Sequence, residues 1–505
     1  MGLQKASVDR WALGLLALAL ALRLYQINIP FLEPYNSITR QTLVAMVARN
    51  FYEHDFDFFY PEIDRNGSGP SLYNAELPIH SYLMAIGYKL AGGVKPWAAR
   101  GVSVAFSMGM LVALFLLARR LYGIVSARIA LAFAALSPMS VALGRSLQPE
   151  SLMFFASVGA VSSYGLFMKT SRLRYYAASL LCTFIAVASK IYNFYLFIPL
   201  AYLAWRRDGR KSLTDPKNYI YLAMVSTALI WYGYGWSMGR HYALGHTPFN
   251  FFNRGPAGKS YAELLVSAPH LLFVSKVFVF HLMTPLGFLL FCAGFFKGDR
   301  TPADRLIRIW FLSVVLLMAV LWKAVIEHSY YQAPFLLVAG FYVARGALRI
   351  FQSGWFRGLV FKKVWVGLAL ALEAFALFYF YRGLYRIPEE RRAILAAGEA
   401  IQRLTSPGTL VVASHETNES LVYYCHRKGW LFDMYSERDD ALIKRLEDYR
   451  RQGADYFAIS SLKDFQRAPR FEAYLKDRFT LVERGRGYEI FDLKNGQRGS
   501  SRSPS

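Results

Sequence analysis

Cysteine is nearly missing from this chain: Cys182, Cys292 and Cys425 are the three in 505 residues. They lie far apart, and two fall in long apolar runs, so no disulfide framework or zinc-binding spacing is encoded. Acidic residues are also scarce, 34 Asp and Glu against 58 Lys and Arg, for a formal net charge of +24. A chain this basic invites a nucleic-acid reading. The basic residues, however, gather in short connections between apolar runs, which is a membrane-topology signal, and nucleic acid is not an expected partner. The first apolar run, Trp11 to Phe31, is followed by further membrane-length runs and reads as a retained signal anchor. No repeat relates the two halves, which counts against a transporter or flippase of an amphiphilic lipid.

What is present is hydrocarbon. Hydrophobic residues make up 55% and aromatics 16%, at a mean hydropathy of +0.24. Apolar runs long enough to cross a hydrocarbon core of roughly 30 Å recur through the first three quarters. They fall near 11–30, 98–118, 127–144, 152–168, 175–189, 191–205, 219–237, 271–296, 309–326, 333–348 and 364–381. In an open chain of this pattern only helices satisfy their own backbone in lipid. The expectation is a polytopic α-helical membrane protein of about eleven spans.

Alternate connections, "ARRLYGIVSAR", "KTSRLR", "RRDGRKSLTDPK", "KGDRTPADRLIR" and "RGALRIFQSGWFRGLVFKK", are rich in Arg and Lys and are placed in the cytoplasm. The N-terminus then lies inside, and residues 31–97 and everything after about 385 lie outside. The division expected is a membrane unit, 1–384, with its first outer loop at 31–97; an outer α/β unit, 385–493; and a disordered tail, 494–505. In the α/β unit "RRAILAAGEAIQRL", "ESLVYYCHRKGW" and "DALIKRLEDYRRQGA" read as helices. "GTLVVAS", "DYFAIS", "FTLVER" and "YEIFDL" read as strands.

The outer face carries the candidate chemistry. Glu33 follows the first span, Glu76 lies in "SLYNAELPIHSYL", and Glu150 sits in the short turn "LQPES", stiffened by Pro149. Asp55, Asp57, Glu62 and Asp64 read as solvated loop charges, and Glu373, in mid-span, as a structural polar contact. Arg40, Arg145 and Lys190 are basic groups near outer ends, suited to a lipid phosphate. His328, Tyr331 and Gln332, in "IEHSYYQAPF", form a polar and aromatic cluster at the outer boundary.

"ITRQTLVAMVARNFYE", then "FFYPEI", then "AELPIHSYL", resemble the GT-C membrane glycosyltransferases. The likeness is to the bacterial branch related to protein O-mannosyltransferases and lipid A aminoarabinose transferases (glycosyltransferase family 39-like). "LARRLYG", "ALSPMSVALGRSLQPESLMFF", "HSYYQAPFLLVAG" and, in the tail, "YYCHRKGW" and "GADYFAIS" follow in the same order. The resemblance implies a GT-C-like fold in a bacterial inner membrane. It implies an inverting transfer of a sugar from a polyprenyl-phosphate carrier to a lipid, glycan or protein acceptor on the outer face. Arg40-Gln41 match the first-loop helix, Glu76 the family's S-E-F-P-like motif and Glu150 its Q-P-E-like motif. Where many relatives carry an aspartate after Arg-Gln, this chain has Thr42-Leu43-Val44. The base is then Glu33 or Glu76, or the chain is an inactive scaffold on the same fold. A divalent cation shared by Glu76 and Glu150 is a further option.

Overall fold

The computed structural model describes residues 9–34, 37–241, 259–296, 301–358 and 360–496. The chain opens with α1 (Arg10–Leu24), whose N-terminus Asp9 caps by accepting from the Trp11 and Ala12 N–H groups. The loop after α1 carries α2 (Ile38–Glu53) and α3 (Ile79–Leu90). Then come α4 (Pro96–Leu136), α5 (Pro138–Gly144), α6 (Glu150–Thr170) and α7 (Leu173–Ser189). A 3₁₀ turn, Ile191–Leu196, leads into α8 (Phe197–Asp208), α9 (Pro216–Ser226) and α10 (Ala228–His241). The later membrane helices are α11 (Tyr261–Val266), α12 (Ala268–Lys276), α13 (Pro285–Phe295), α14 (Pro302–Val320), α15 (Trp322–Val325), α16 (Leu336–Gln352), α17 (Gly354–Gly358) and α18 (Lys362–Leu384).

α4 contains two of the expected spans. Gly123, at φ 83 and ψ 179, breaks the helix inside "LARRLYGIVSAR", a backbone conformation for which glycine is suited. That the chain doubles back follows from Arg23, which hydrogen-bonds both Ser107 Oγ and the Ala135 carbonyl. Twenty-eight residues of straight helix (107 to 135) would hold those groups about 42 Å apart.

Among the described residues four helices can cross a membrane by length and composition, or five if the bent pair Ala268–Met283 and Pro285–Phe295 is one span. The other expected spans are shorter or interrupted. The 219–237 run is divided between α9 and α10, and 191–205 begins with the 3₁₀ turn. The bent pair turns by 97° at Thr284, where φ is +66. Its freed backbone is met locally: Ser137 Oγ donates to the Leu282 carbonyl at 2.7 Å. Glu373 bonds the Thr284 side chain and the Leu286 backbone, the structural role expected of a mid-span carboxyl. α13 and α16 meet at Gly294 and Gly346, where a Cβ would fall 2.0 Å from the Tyr342 carbonyl and 1.8 Å from that of Leu290. Small residues let these two backbones touch.

Beyond α18 come α19 (Glu389–Leu404), α20 (Ser420–Cys425), α21 (Asp439–Arg451) and α22 (Pro469–Arg478). They pack on a five-stranded sheet of order β2-β1-β3-β5-β4. Its strands are β1 (Val411–Ser414), β2 (Gly429–Leu431), β3 (Tyr456–Ile459), β4 (Phe479–Gly485) and β5 (Tyr488–Gly496). β2, β1 and β3 are parallel, and β5 and β4 add an antiparallel edge. The segment read as one helix, Glu419 to Trp430, stops at His426, φ +51, and its end is β2. Residues 494–496 of the expected tail belong to β5, and the remainder lies outside the described residues.

The first outer loop is tied to this sheet. The Gly67 N–H donates to the Gly429 carbonyl at 2.8 Å and the Gly429 N–H to the Asp64 carbonyl at 3.1 Å. Asn66 thus bridges Trp430 on the free edge of β2, covering an edge that would otherwise invite aggregation. Asp64 is no solvated charge. It is 5% exposed and ion-paired to Arg49, whose guanidinium also donates to the Tyr423 carbonyl. Glu62 likewise pairs with Lys428 at 2.7 Å, while Asp55 and Asp57 are exposed as expected.

Candidate active site

Four turns at one end of the helices converge. Ser37 caps α2 by accepting from the Arg40 N–H, which fixes Arg40 in the first helical turn. The segment before α3 brings Glu76 beneath it, and the next residue, Leu77, donates its N–H to the Ala188 carbonyl at 3.0 Å. α6 and α7 are antiparallel neighbours, so Glu150 at the start of one meets Lys190 just past the end of the other. The fourth turn is the 3₁₀ segment Ser329–Phe335.

Two buried ion pairs result. Arg40 Nη2 lies 2.5 Å from both carboxylate oxygens of Glu76, with each side chain 10% exposed. Lys190 Nζ lies 3.2 Å from Glu150 Oε1, with the side chains 9% and 0% exposed. Burial alone would lower the Arg40 guanidinium. Glu76, then Tyr330 and Glu150, outweigh it and hold the group above its usual range. The two pairs therefore share one electrostatic field. Lys190 also sits 5.4 Å from the Tyr330 ring centroid, and Tyr192 packs on Tyr331 at 5.7 Å. Arg40 lies over Tyr73 at 5.2 Å.

The surrounding polar groups are incompletely satisfied. Among the described residues neither oxygen of Glu150 has an aligned hydrogen bond, and the amides of Asn74, Gln148 and Gln332 and the hydroxyls of Ser151, Ser189 and Tyr192 have none. Buried polar groups are rarely left so, at a cost of about 1–3 kcal/mol each. Their concentration on the turns carrying the two ion pairs marks a place built for polar contacts. A small cavity of about 10 Å³ joins Glu76 and His80 to Pro149.

Glu33 is elsewhere. It is fully buried, paired with Arg100 at the start of α4 and approached at 3.5 Å by Gln41 Nε2. Arg100 also donates to the Ile27 and Ile29 carbonyls. Gln41 accepts at 3.5 Å from the Leu147 N–H. This unit links α2 to the "LQPES" turn through Gln41 and Leu147. Arg145 is also drawn away, donating to the Tyr25 and Gln26 carbonyls at 2.8 and 2.9 Å under the Tyr385 ring. Of the expected boundary cluster, His328 stacks on Tyr330 at 5.3 Å, Tyr331 faces Tyr192, and Gln332 points into an apolar space. Sequence reasoning did not single out Tyr192 or Asn74, whose neighbours Lys190 and Glu76 were the only signal for them.

Glu76 and Glu150 are each taken up by a side-chain cation. Among the described residues no group of three His, Cys, Asp or Glu could hold a metal ion. The donor set does not fit a resident divalent cation, since a metal would have to displace Arg40 or Lys190.

Residues 75–231, which hold Glu76, Glu150 and Lys190, match the family model of dolichyl-phosphate-mannose-protein mannosyltransferases. The whole chain resembles solved membrane transferases. ArnT from Cupriavidus metallidurans bound to undecaprenyl phosphate is 12% identical, at a TM-score of 0.62 over 98% of this chain and 99% of that one. The archaeal oligosaccharyltransferase AglB from Archaeoglobus fulgidus, in complex with an inhibitory peptide and a dolichol-phosphate, is 11% identical. It aligns at a TM-score of 0.60 over 98% of this chain and 75% of that one. The Archaeoglobus fulgidus oligosaccharyltransferase has also been solved with Zn and sulfate, at 12% identity, a TM-score of 0.59, and 93% and 71% coverage. Among curated proteins no sequence match is found. At these identities the likeness is one of fold, and the fold is the GT-C fold expected from the motifs.

Proposed function

We propose that the chain is an inverting glycosyltransferase that moves a sugar from a polyprenyl-phosphate carrier to an acceptor hydroxyl on the outer face of a bacterial inner membrane. The N-terminus is cytoplasmic and the α/β unit, 385–493, stands outside, above the site formed by 1–384. The observation that carries the reading is the pair of buried cation–carboxylate contacts, Arg40–Glu76 and Lys190–Glu150, gathered from separate outer turns. The ArnT and AglB structures holding prenyl phosphates support it at the level of fold.

Arg40 and Lys190 are the cations that receive the donor phosphate, which offers each a charge-assisted bond in place of its carboxylate. Releasing Arg40 leaves Glu76 with open lone pairs. Glu76, 9% exposed, takes the proton of the acceptor hydroxyl. The acceptor oxygen attacks the anomeric carbon as the bond to the phosphate oxygen breaks. The polyprenyl phosphate leaves with the electron pair, its charge met by Arg40 and Lys190. One displacement inverts the anomeric centre. Glu150, with both oxygens open, accepts from sugar hydroxyls beside Tyr192.

The test is transfer by the full-length protein in membranes, across a panel of hexosyl and pentosyl polyprenyl phosphates with lipid, glycan and peptide acceptors. Glu76→Gln is expected to lower the rate by about 10²–10⁴, at unchanged yield of folded protein. Full activity in both Glu76→Gln and Glu150→Gln would sink the assignment of the site, and no product from any donor would sink the enzyme reading.

A further inference from the structure

A groove of about 710 Å³ lies among α13, α16, α17, α18 and the second half of α4, and none of its lining residues belongs to the ion-pair site. Its walls, Phe133, Leu290, Ile350, Trp355 and Trp365 among them, are aliphatic and aromatic. Three further side chains on the wall are polar, and all are taken up. Ser137 Oγ donates to the Leu282 carbonyl at 2.7 Å, and Thr284 Oγ1 accepts from the Gly287 N–H at 3.3 Å. Glu373 accepts from the Thr284 side chain and the Leu286 backbone. Among the described residues the wall leaves no buried side-chain polar atom open. Such a surface gives water nothing to hold, so its natural filling is hydrocarbon.

Length and charge say which hydrocarbon. Along α18 the wall runs from Trp365 to Leu377, about 18 Å at 1.5 Å per residue. That is close to one leaflet of a hydrocarbon core roughly 30 Å thick. At one end Trp355 and Trp365, 73% and 56% exposed, take the place of an interfacial aromatic belt. Beside them, on α17 and the first turn of α18, stand Arg357, Lys362 and Lys363, all exposed. Arg357 donates to the Gln352 carbonyl at 2.7 Å, and among the described residues none of the three is paired with a carboxylate. A molecule with hydrocarbon the depth of one leaflet and an anionic head matches that order of surfaces. We propose that the groove binds an anionic phospholipid, its acyl chains lying along α18 and its phosphate held by Arg357, Lys362 and Lys363 through charge-assisted bonds. The volume fits ligand pockets, roughly 300–1,000 Å³. Of α18 only Phe380 and Leu384, near its end, are buried among the described residues, so along its earlier turns the lipid supplies the packing.

A prenyl phosphate is also hydrocarbon with an anionic head, and position decides between the two. α16 begins where the 3₁₀ segment of the ion-pair site ends and runs 17 residues to Gln352, about 25 Å. A phosphate held by the cations that follow α16 is therefore far from Arg40 and Lys190, where a donor's phosphate has to lie. The phospholipid needs α18 in a membrane and takes no part in the transfer chemistry.

Full-length protein in phosphatidylethanolamine nanodiscs is photolabelled with a trace of phosphatidylglycerol carrying a diazirine on an acyl chain. Excess phosphatidylglycerol, phosphatidylethanolamine or undecaprenyl phosphate serves as competitor. The expected result is labelling of Ile350–Phe356 and Trp365–Leu377 that phosphatidylglycerol removes and the other two do not. Ala369→Trp, which fills the groove, should lower that labelling at least fivefold. Arg357→Gln, Lys362→Gln and Lys363→Gln combined guard against misfolding, since all three side chains are exposed. Together they should erase the advantage of phosphatidylglycerol over phosphatidylethanolamine, to which each cation contributes about fivefold. Labelling that no competitor removes marks bulk lipid only and overturns the assignment, as does unchanged labelling in both variants. Undecaprenyl phosphate proving the better competitor also overturns it and gives the groove to a prenyl carrier. Each of these outcomes leaves the transferase reading standing.

Discussion

Two sets of buried cations lie near the same ends of the first helices, and they are held in opposite ways. Arg23 and Arg145, both fully buried, are bound by backbone carbonyls and hydroxyls. Arg23 donates to Ser107 Oγ, the Ala19 carbonyl and Ser140 Oγ at 2.8, 3.0 and 3.0 Å, and Arg145 to two carbonyls at the end of α1. Among the described residues neither forms an ion pair. Arg40 and Lys190 are instead each held by one carboxylate whose other contacts are sparse. A cation bound by fixed carbonyls has nowhere better to go. A cation resting on a side-chain carboxylate can exchange it for a phosphate. The difference separates helix pins from ligand-binding groups, although the residue types are alike.

Substitution should split the two sets. Arg23→Met is expected to have the largest effect on stability, a loss of about 4 kcal/mol, because several charge-assisted bonds go and their acceptors are stranded. Thermal unfolding in detergent reads it, and the protein that remains folded should keep its kcat. Arg40→Gln and Lys190→Gln should act chiefly on turnover, lowering kcat/KM by about 10²–10³. The stranded carboxylate brings a stability loss that is out of proportion to, and smaller than, the loss of turnover. Lys190→Arg should rescue poorly, since a planar fork does not replace a point charge. If Arg23→Met and Lys190→Gln lose stability and turnover in the same proportion, the distinction collapses.

A smaller effect comes from His80, in the outer loop beside the site. Burial pushes its imidazole down to about 3, and Ser103 Oγ is its partner at 3.0 Å. The folded chain therefore binds this proton less readily than the unfolded one. The stability His80 lends is complete above pH 6.5 and falls as the pH drops from there towards 3, by about 1.4 kcal/mol per unit. His80→Gln should flatten the melting-temperature profile between pH 6.5 and 5. His415, also lowered by burial, adds slope of the same sign and should remain. An unchanged profile would mean that His80 is solvated in solution.

How much of this could be read from the residues depended on how local the cause was. The fold class and the alternation of basic connections were legible because lipid imposes length and charge rules on each segment separately. The fold-back at Gly123 was visible as a glycine amid arginines. Glu150 stood out because Pro149 stiffens its short turn, Glu76 because it lies in a stretch that resembles the family's motif, and Lys190 because it ends a span. The role of Glu33 was not legible. Its partner Arg100 lies 67 residues on, and only the folded chain brings the two together. Asp64 was misread for the same reason: its environment is made by Arg49 on α2 and by the sheet edge at Gly429. The runs near 219–237 and 271–296 are divided where helices break, at Thr227 and Thr284, since periodicity records apolar length and not a change of axis.

The smallest effect tests the interface between the first loop and the sheet, where the same contrast recurs. Arg49 is buried against Asp64 and a carbonyl, whereas Lys428–Glu62 is an ion pair with side chains 39% and 18% exposed. Exposed pairs contribute about 0–1 kcal/mol and weaken with salt, and the backbone bonds between Gly67 and Gly429 do not depend on Lys428. Lys428→Ala should therefore cost less than about 1 kcal/mol, with a difference from the wild type that shrinks further at high salt. Amide exchange at Gly67 and Gly429 is the direct readout. If those amides become freely exchanging in Lys428→Ala, the loop is held to the tail by charge, and the strand-like pairing is its consequence rather than its cause.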